Sequence, residues 1–127
     1  MGVPVVLVIE DDWFLRDCIA GYLRGSQLRT LEARTGELAL SFLEAGSQLD
    51  LIFTDIQLGR GINGWEVATR FRRALPFIPI IYTSGNGFEP TRAVAKSLFF
   101  DKPYELETIA KACRSLVNGG CERQSEL

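Results

Sequence analysis

Short apolar runs alternate along the chain with longer stretches in which apolar residues recur every three or four positions. The short runs indicate buried strands, whereas the wider spacing is typical of amphipathic helices. The first run, Val5–Ile9, contains no polar residue, which favours a strand buried on both faces of a parallel sheet. We predict strands at residues 5–9, 28–33, 51–54, 77–82 and 97–100. The second of these is the most polar, so we expect it at an edge of the sheet.

A helix is predicted after each of these strands. The first helix ends before Gly25; the second begins after Thr35, which can cap it, and stops at Gly46. The third spans residues 64–75, and a short, weakly patterned fourth helix spans residues 89–96. Strands that alternate with helices indicate an α/β domain whose parallel sheet is covered by helices on both faces.

The chain of 127 residues suits a single domain. The last helix carries an apolar stripe from Leu106 to Val117 and is predicted to end at residues 118–120. We therefore expect a domain of residues 1–120, followed by a polar C-terminal tail of residues 121–127.

Composition excludes several classes of function. The net charge of −2 gives no basic surface for nucleic acid or for an acidic membrane. The longest apolar run is far too short to span a bilayer, and we find no signal peptide, so we expect a cytoplasmic protein. The chain contains no histidine, which excludes Ser-His-Asp sites, histidine-bound zinc and a histidine phosphodonor. Any chemistry must use carboxylates, hydroxyls, lysine and the backbone.

Polar side chains follow four of the predicted strands. Because the carboxyl ends of parallel strands meet at one edge of an open sheet, where ligands bind, we expect these side chains to share a cleft. Crowded carboxylates there either take up a proton or bind a cation. A hard divalent cation suits oxygen ligands, and Mg²⁺ is the most available. The side chains are Glu10, Asp11 and Asp12 after the first strand, Asp55 after the third, Thr83 and Ser84 after the fourth, and Lys102 after the fifth.

Four motifs, in order along residues 5–117, resemble those of the response-regulator receiver domain, the family typified by the bacterial chemotaxis regulator. Each motif alone is weakly specific, but four at strand ends form a strong signature. The resemblance implies a stand-alone domain with a doubly wound, five-stranded parallel sheet in the flavodoxin-like order 2-1-3-4-5. The segment between Ser84 and Lys102 is shorter than the family pattern. The motifs are Leu7-Val8-Ile9-Glu10-Asp11-Asp12, Asp50-Leu51-Ile52-Phe53-Thr54-Asp55, Pro79-Ile80-Ile81-Tyr82-Thr83-Ser84-Gly85 and Lys102-Pro103.

The resemblance also implies roles for the site residues. Asp55 would be the phosphoacceptor, a nucleophile that takes a phosphoryl group from a phosphohistidine or a small acyl phosphate. Mg²⁺ would be held by Asp11, by Asp55, by the backbone carbonyl of Gln57 and, mainly through water, by Glu10. Lys102 would pair with Asp55 at rest and with a phosphoryl oxygen afterwards. Asp12, by contrast, is predicted to cap the first helix.

Phosphorylation is expected to act as a switch. Ser84 would hydrogen-bond a phosphoryl oxygen, with Thr83 as its rival, and Phe99 would turn inward. The face made by the fourth helix, the fifth strand and the last helix would then change shape. Gln57 and Asn86 occupy positions that tune autodephosphorylation in the family. The implied partners are a histidine kinase or histidine-phosphotransfer protein, an unidentified downstream protein, and a second copy in a homodimer through that face.

Two other classes of function compete with this interpretation. One is a receiver-like binding module that is never phosphorylated, against which the complete set of acids, hydroxyl and lysine argues. The other is an aspartyl phosphatase, which needs a second carboxylate two residues after the nucleophile, where this chain has Gln57. Residues 59–64 match the dinucleotide fingerprint GxGxxG, but three residues separate them from Asp55, so we interpret them as a loop.

Overall fold

The computed structural model describes residues 2–126 of the chain and the side chains of residues 2–118. The strands in this range are β1 (Val5–Ile9), β2 (Arg29–Ala33), β3 (Leu51–Asp55), β4 (Ile80–Ser84) and β5 (Ser97–Asp101), and the α-helices are α1 (Trp13–Gly25), α2 (Gly36–Glu44), α3 (Gly64–Ala74) and α4 (Leu106–Glu126). The strands pair in parallel in the order β2-β1-β3-β4-β5. This confirms the doubly wound, flavodoxin-like fold, with β2 at an edge.

Polar residues fix the starts of the first three helices. The Asp12 carboxylate accepts hydrogen bonds from the backbone N–H groups of Phe14 and Leu15 at 2.9 and 3.1 Å. Thr35 and Asn63 cap α2 and α3 in the same way, at 3.1 and 3.0 Å. Such caps satisfy N–H groups that the first helical turn leaves without partners. The predicted capping roles of Asp12 and Thr35 are confirmed, and α1 therefore starts immediately beyond the acidic turn after β1.

Side chains along the strands alternate between two hydrophobic layers, one on each face of the sheet. The layer with α2 and α3 holds alternate strand residues, and the opposite layer, with α1 and α4, holds Val6 and Val8 of β1 and Phe53 of β3. Continuing the same alternation, Glu10 follows Val8 and Asp55 follows Phe53. The two carboxylates therefore belong to the same face of the sheet.

The fourth strand starts later than the sequence suggested. We predicted residues 77–82, whereas β4 is Ile80–Ser84 and already includes the hydroxyl residues Thr83 and Ser84. Pro79 has no N–H group to donate to the ladder, so regular pairing begins only after it. The preceding Phe77, which made the run look longer, is 94% exposed.

The predicted fourth helix is wrong. The described chain between β4 and β5 contains only a 3₁₀ turn at Pro90–Arg92. Pro90 can begin a helical turn but cannot continue one, and the segment has too few apolar positions to form a helix face. Instead Phe88 and Val94 pack against the core, and the Arg72 side chain donates a hydrogen bond to the carbonyl of Ala95 at 2.6 Å.

The last helix is longer than predicted. It does not end at residues 118–120 but continues to Glu126, through the segment that we expected to be a tail. Each glycine at 119 and 120 lowers helix stability by about 1 kcal/mol relative to alanine, which weakens a helix without ending it. The division into a domain of residues 1–120 and a tail of residues 121–127 stays a prediction. None of the helices described is long and apolar enough to cross a membrane.

Candidate functional site

Two buried carboxylates and one lysine form the centre of the site. Glu10 and Asp55 lie at the carboxyl ends of the neighbouring strands β1 and β3 and are only 1% and 4% exposed. Lys102 reaches them from the end of β5, with its Nζ 3.0 Å from Glu10 Oε1 and 2.9 Å from Asp55 Oδ2. The Lys102-Pro103 peptide bond is cis. The ammonium of Lys102 thus forms ion pairs with both carboxylates at a position that is largely shielded from water.

A third carboxylate completes an oxygen-rich cluster. Asp11, which is exposed, offers an oxygen that lies with one from Glu10 and one from Asp55 so that all three are within 4.8 Å of one another. The remaining Asp55 oxygen, Oδ1, accepts a hydrogen bond from the backbone N–H of Gln57 at 3.2 Å. Carboxylate oxygens at this spacing are the donor set that a hard divalent cation prefers. These residues therefore fit the magnesium site that the sequence suggested.

Burial displaces the pKa values of the central groups. Desolvation, and then the charge of Asp55, raise the pKa of Glu10 from 4.5 to about 7, although Lys102 pulls it down. Burial alone would lower the pKa of Lys102, but its hydrogen bonds to Asp55 and Glu10 outweigh that effect, and the pKa is raised. Without a cation, the Glu10 carboxylate would therefore take up a proton at a higher pH than a free glutamate.

The hydroxyls at the end of β4 differ in their surroundings. Ser84 Oγ donates a hydrogen bond to Gln57 Oε1 at 2.9 Å and accepts one from the backbone N–H of Asn86 at 2.9 Å. Thr83 pairs in register with Asp55 along the sheet, yet its buried Oγ1 has no hydrogen-bond partner among the described residues. Ser84, rather than Thr83, is thus the hydroxyl connected to the loop that follows Asp55.

Phe99, the predicted switch aromatic, is half-buried and stacks on Phe88, with ring centroids 4.7 Å apart and an interplanar angle of 29°. Phe88 in turn contacts Trp65 and Tyr82 at 5.6 and 6.1 Å between centroids. These four rings form an aromatic cluster that covers the sheet where the predicted helix is missing. Phe99 therefore lies against the core in this structure.

Sequence reasoning missed two residues at this edge. Gly64, at the start of α3, donates its N–H to the carbonyl of Ile56 at 2.8 Å, and a Cβ there would lie 2.8 Å from the Ile56 Cα. Glycine is thus needed where α3 closes onto the Asp55 loop. The buried hydroxyl of Tyr104 has no hydrogen-bond partner in the described part of the chain, and burial, with the charges of Glu10 and Asp55, raises its pKa. Its position two residues after Lys102 was the available signal.

The fold and the site together define a class: doubly wound α/β domains with an acid–lysine cluster at the carboxyl edge of the sheet. The family model of the response regulator receiver domain matches residues 6–114. The chain therefore belongs to the response regulator receiver domain family of two-component systems.

Similar proteins agree with this assignment. The chain is 26% identical over 122 residues to the two-component response regulator ORR5 of Oryza sativa subsp. japonica, covering 91% of this chain and 90% of ORR5. It is 27% identical over 131 residues to the autoinducer 1 sensor kinase/phosphatase LuxN of Vibrio campbellii, covering 97% of this chain but 15% of LuxN. It spans about half of SphR of Synechococcus elongatus, at 51%.

Solved structures show the same likeness. A response regulator receiver protein from Sinorhizobium medicae superposes with a TM-score of 0.87 at 25% identity, covering 91% of this chain and 95% of that one. The receiver domain of the hybrid histidine kinase CckA superposes with a TM-score of 0.77 at 27% identity, covering 89% and 98%. The receiver fold thus extends over nearly the whole chain.

Proposed function

We propose that this protein is a response regulator that accepts a phosphoryl group on Asp55 from a phosphohistidine. The observation that carries the proposal is the position of Asp55, which lies between the ammonium of Lys102 at 2.9 Å and the acidic cluster formed with Glu10 and Asp11. A buried carboxylate held in this way is oriented to act as a nucleophile. Glu10 shares the lysine contact and the cluster, but Asp55 lies at the end of β3, the middle strand of the sheet.

Three carboxylates and one carbonyl would hold Mg²⁺. Glu10, Asp11 and Asp55 supply the clustered oxygens, and the backbone carbonyl of Gln57, two residues after Asp55, would complete the protein ligands. The bound ion supplies positive charge that offsets both the carboxylates and the incoming phosphoryl oxygens. The same charge would favour the ionised form of Glu10.

The residues of the chain then position the transfer. An Asp55 carboxylate oxygen attacks phosphorus, and the bond between phosphorus and the imidazole nitrogen of the donor breaks, so the electron pair leaves with the imidazole. Lys102 holds the Asp55 carboxylate beforehand and follows the charge onto a phosphoryl oxygen. Phosphoryl transfer passes through a loose, in-line transition state, so such positioning and charge neutralisation supply most of the catalysis.

A changed surface would carry the signal onward. After transfer, the Ser84 hydroxyl turns to a phosphoryl oxygen, and the segment after it moves with it. Phe99, which is stacked on Phe88 of that segment, links the movement to the face formed by residues 85–96, β5 and α4. A histidine kinase or histidine-phosphotransfer protein would be the donor, and a downstream protein or a second copy of the chain would bind this face in the cytoplasm.

Labelling with acetyl phosphate and Mg²⁺ tests the proposal. The intact mass of the protein should rise by one phosphoryl group, and Asp55→Asn should abolish the gain. Asp12→Asn is the matched control, because asparagine caps helices as well as aspartate does and Asp12 makes no contact with Lys102. Labelling that survives in Asp55→Asn would contradict the assignment, and a wild-type protein that never labels would favour the non-phosphorylated binding module.

A further inference from the structure

The Ser84 hydroxyl already has two hydrogen-bond partners before any phosphoryl group is present. Its single proton is donated to Gln57 Oε1 at 2.9 Å, and its oxygen accepts the N–H of Asn86 at 2.9 Å. A hydroxyl has one proton to donate. Ser84 therefore cannot donate to a phosphoryl oxygen on Asp55 until the bond to Gln57 is broken.

The backbone and the side chain of Gln57 make separate hydrogen bonds. Its backbone N–H holds Asp55 Oδ1 at 3.2 Å, whereas its side-chain amide crosses to β4 and holds Ser84. The side chain is exposed, and a cleft of about 400 Å³, bordered by Gln57, Leu58, Asn86 and Arg92, lies beside it. The amide thus has room to move away without displacing the backbone.

We propose that the Gln57 side chain is a latch that holds the Ser84 hydroxyl in the resting position and opposes activation. The inference rests on the proposed function, because the competing acceptor is the phosphoryl oxygen on Asp55. Gln57 acts here through Ser84 and is a positioning residue. Phosphorylation exchanges one hydrogen bond of Ser84 for another, and the strength of the first sets how readily the exchange occurs.

The size of the effect follows from what is exchanged. A neutral hydrogen bond between side chains contributes modestly to a folded protein, because water competes for both groups. Removing the latch should therefore strengthen binding of a phosphoryl mimic about three- to tenfold. The gain should require the Ser84 hydroxyl, since without it there is nothing for Gln57 to hold.

Calorimetric titration with beryllofluoride and Mg²⁺ measures this effect. Gln57→Met keeps the length of the side chain and the backbone groups but removes the amide, and Gln57→Asn keeps the amide but draws it back by one methylene. Both should bind beryllofluoride more tightly than wild type. In a Ser84→Ala background, Gln57→Met should leave the dissociation constant unchanged.

A measurement without metal provides a second readout. Side-chain couplings measured by NMR on the metal-free protein should show one Ser84 rotamer in wild type and several in Gln57→Met. A wild-type protein that binds no beryllofluoride would overturn the proposed function. Binding by wild type with no gain in either Gln57 variant, or an equal gain with and without Ser84, would overturn the latch alone.

Discussion

Raising the pH from about 5 to about 8 should lower the free energy of unfolding of the metal-free protein, because Glu10 must lose its proton while it is buried. The pKa of Glu10 is raised from 4.5 to about 7 in the folded state, mainly by burial. Between these values the folded state holds a proton that the unfolded state has released. Stability rises with pH only where the unfolded state binds more protons, so here the free energy of unfolding falls as pH rises.

The magnitude follows from the two pKa values. With 4.5 for the unfolded chain and about 7 for the folded one, the loss between pH 5 and pH 8 is about 2–3 kcal/mol. No histidine titrates between pH 5 and pH 8, because the chain has none. Among the groups with displaced pKa values, Glu37 titrates below this window and Lys102 above it.

Urea unfolding followed by circular dichroism, in the presence of a chelator, measures the loss. With a typical urea dependence for a domain of this size, the midpoint should fall by about 1–2 M across the window. Glu10→Gln should remove most of this pH dependence, whereas the control Glu37→Gln, on the exposed surface of α2, should keep it. A wild-type midpoint that stays constant or rises, or a slope that persists in Glu10→Gln, would refute the reasoning.

Three further predictions concern the framework around the site, each measured as the free energy of unfolding in urea. Gly64→Ala should cost about 1–3 kcal/mol, because the new Cβ would lie 2.8 Å from the Ile56 Cα. The control Gly25→Ala, which has open space around the new Cβ, should be neutral or stabilising. Equal effects of the two substitutions would contradict the close approach at Gly64. Asp12→Ala should cost about 1 kcal/mol through loss of the cap of α1, and an unchanged stability would show the cap to be dispensable. Phe71→Ala should cost about 3–5 kcal/mol, since the ring is fully buried in the layer under α3, and a loss below 1 kcal/mol would contradict that packing.

Most of the fold was predictable because local pattern and burial agree. The bounds of β1 were predicted correctly, since its apolar run ends at the acidic turn. The bounds of β4 were not, because Phe77 and Ile78 continue the apolar run while Pro79 interrupts the ladder. The prediction of the fourth helix was wrong for a related reason. The few apolar side chains near Pro90 can reach the core equally well from irregular backbone, so their weak pattern does not require a helix.

The sequence indicated which residues would meet at this edge of the sheet, but not which hydrogen bonds or pKa shifts would result. A parallel sheet brings strand ends together whatever the details, so Glu10, Asp55 and Lys102 could be placed at one edge from the order of motifs. The bond between Gln57 and Ser84 joins residues 27 positions apart and depends on the direction of two side chains. The pKa of Glu10 likewise depends on how completely the fold removes water. Neither quantity has a local signature.

The irregular connection between β4 and β5 has a consequence for how this sequence can be lengthened. Side chains such as Phe88 in this connection cover the sheet. Glu89, Pro90 and Thr91 are exposed and do not belong to the hydrophobic core. Closing a longer flexible loop costs only about 0.6 kcal/mol for each doubling of its length. A tag or an inserted module between Glu89 and Pro90 would therefore leave the sheet intact, and it would sit beside the edge that holds Asp55.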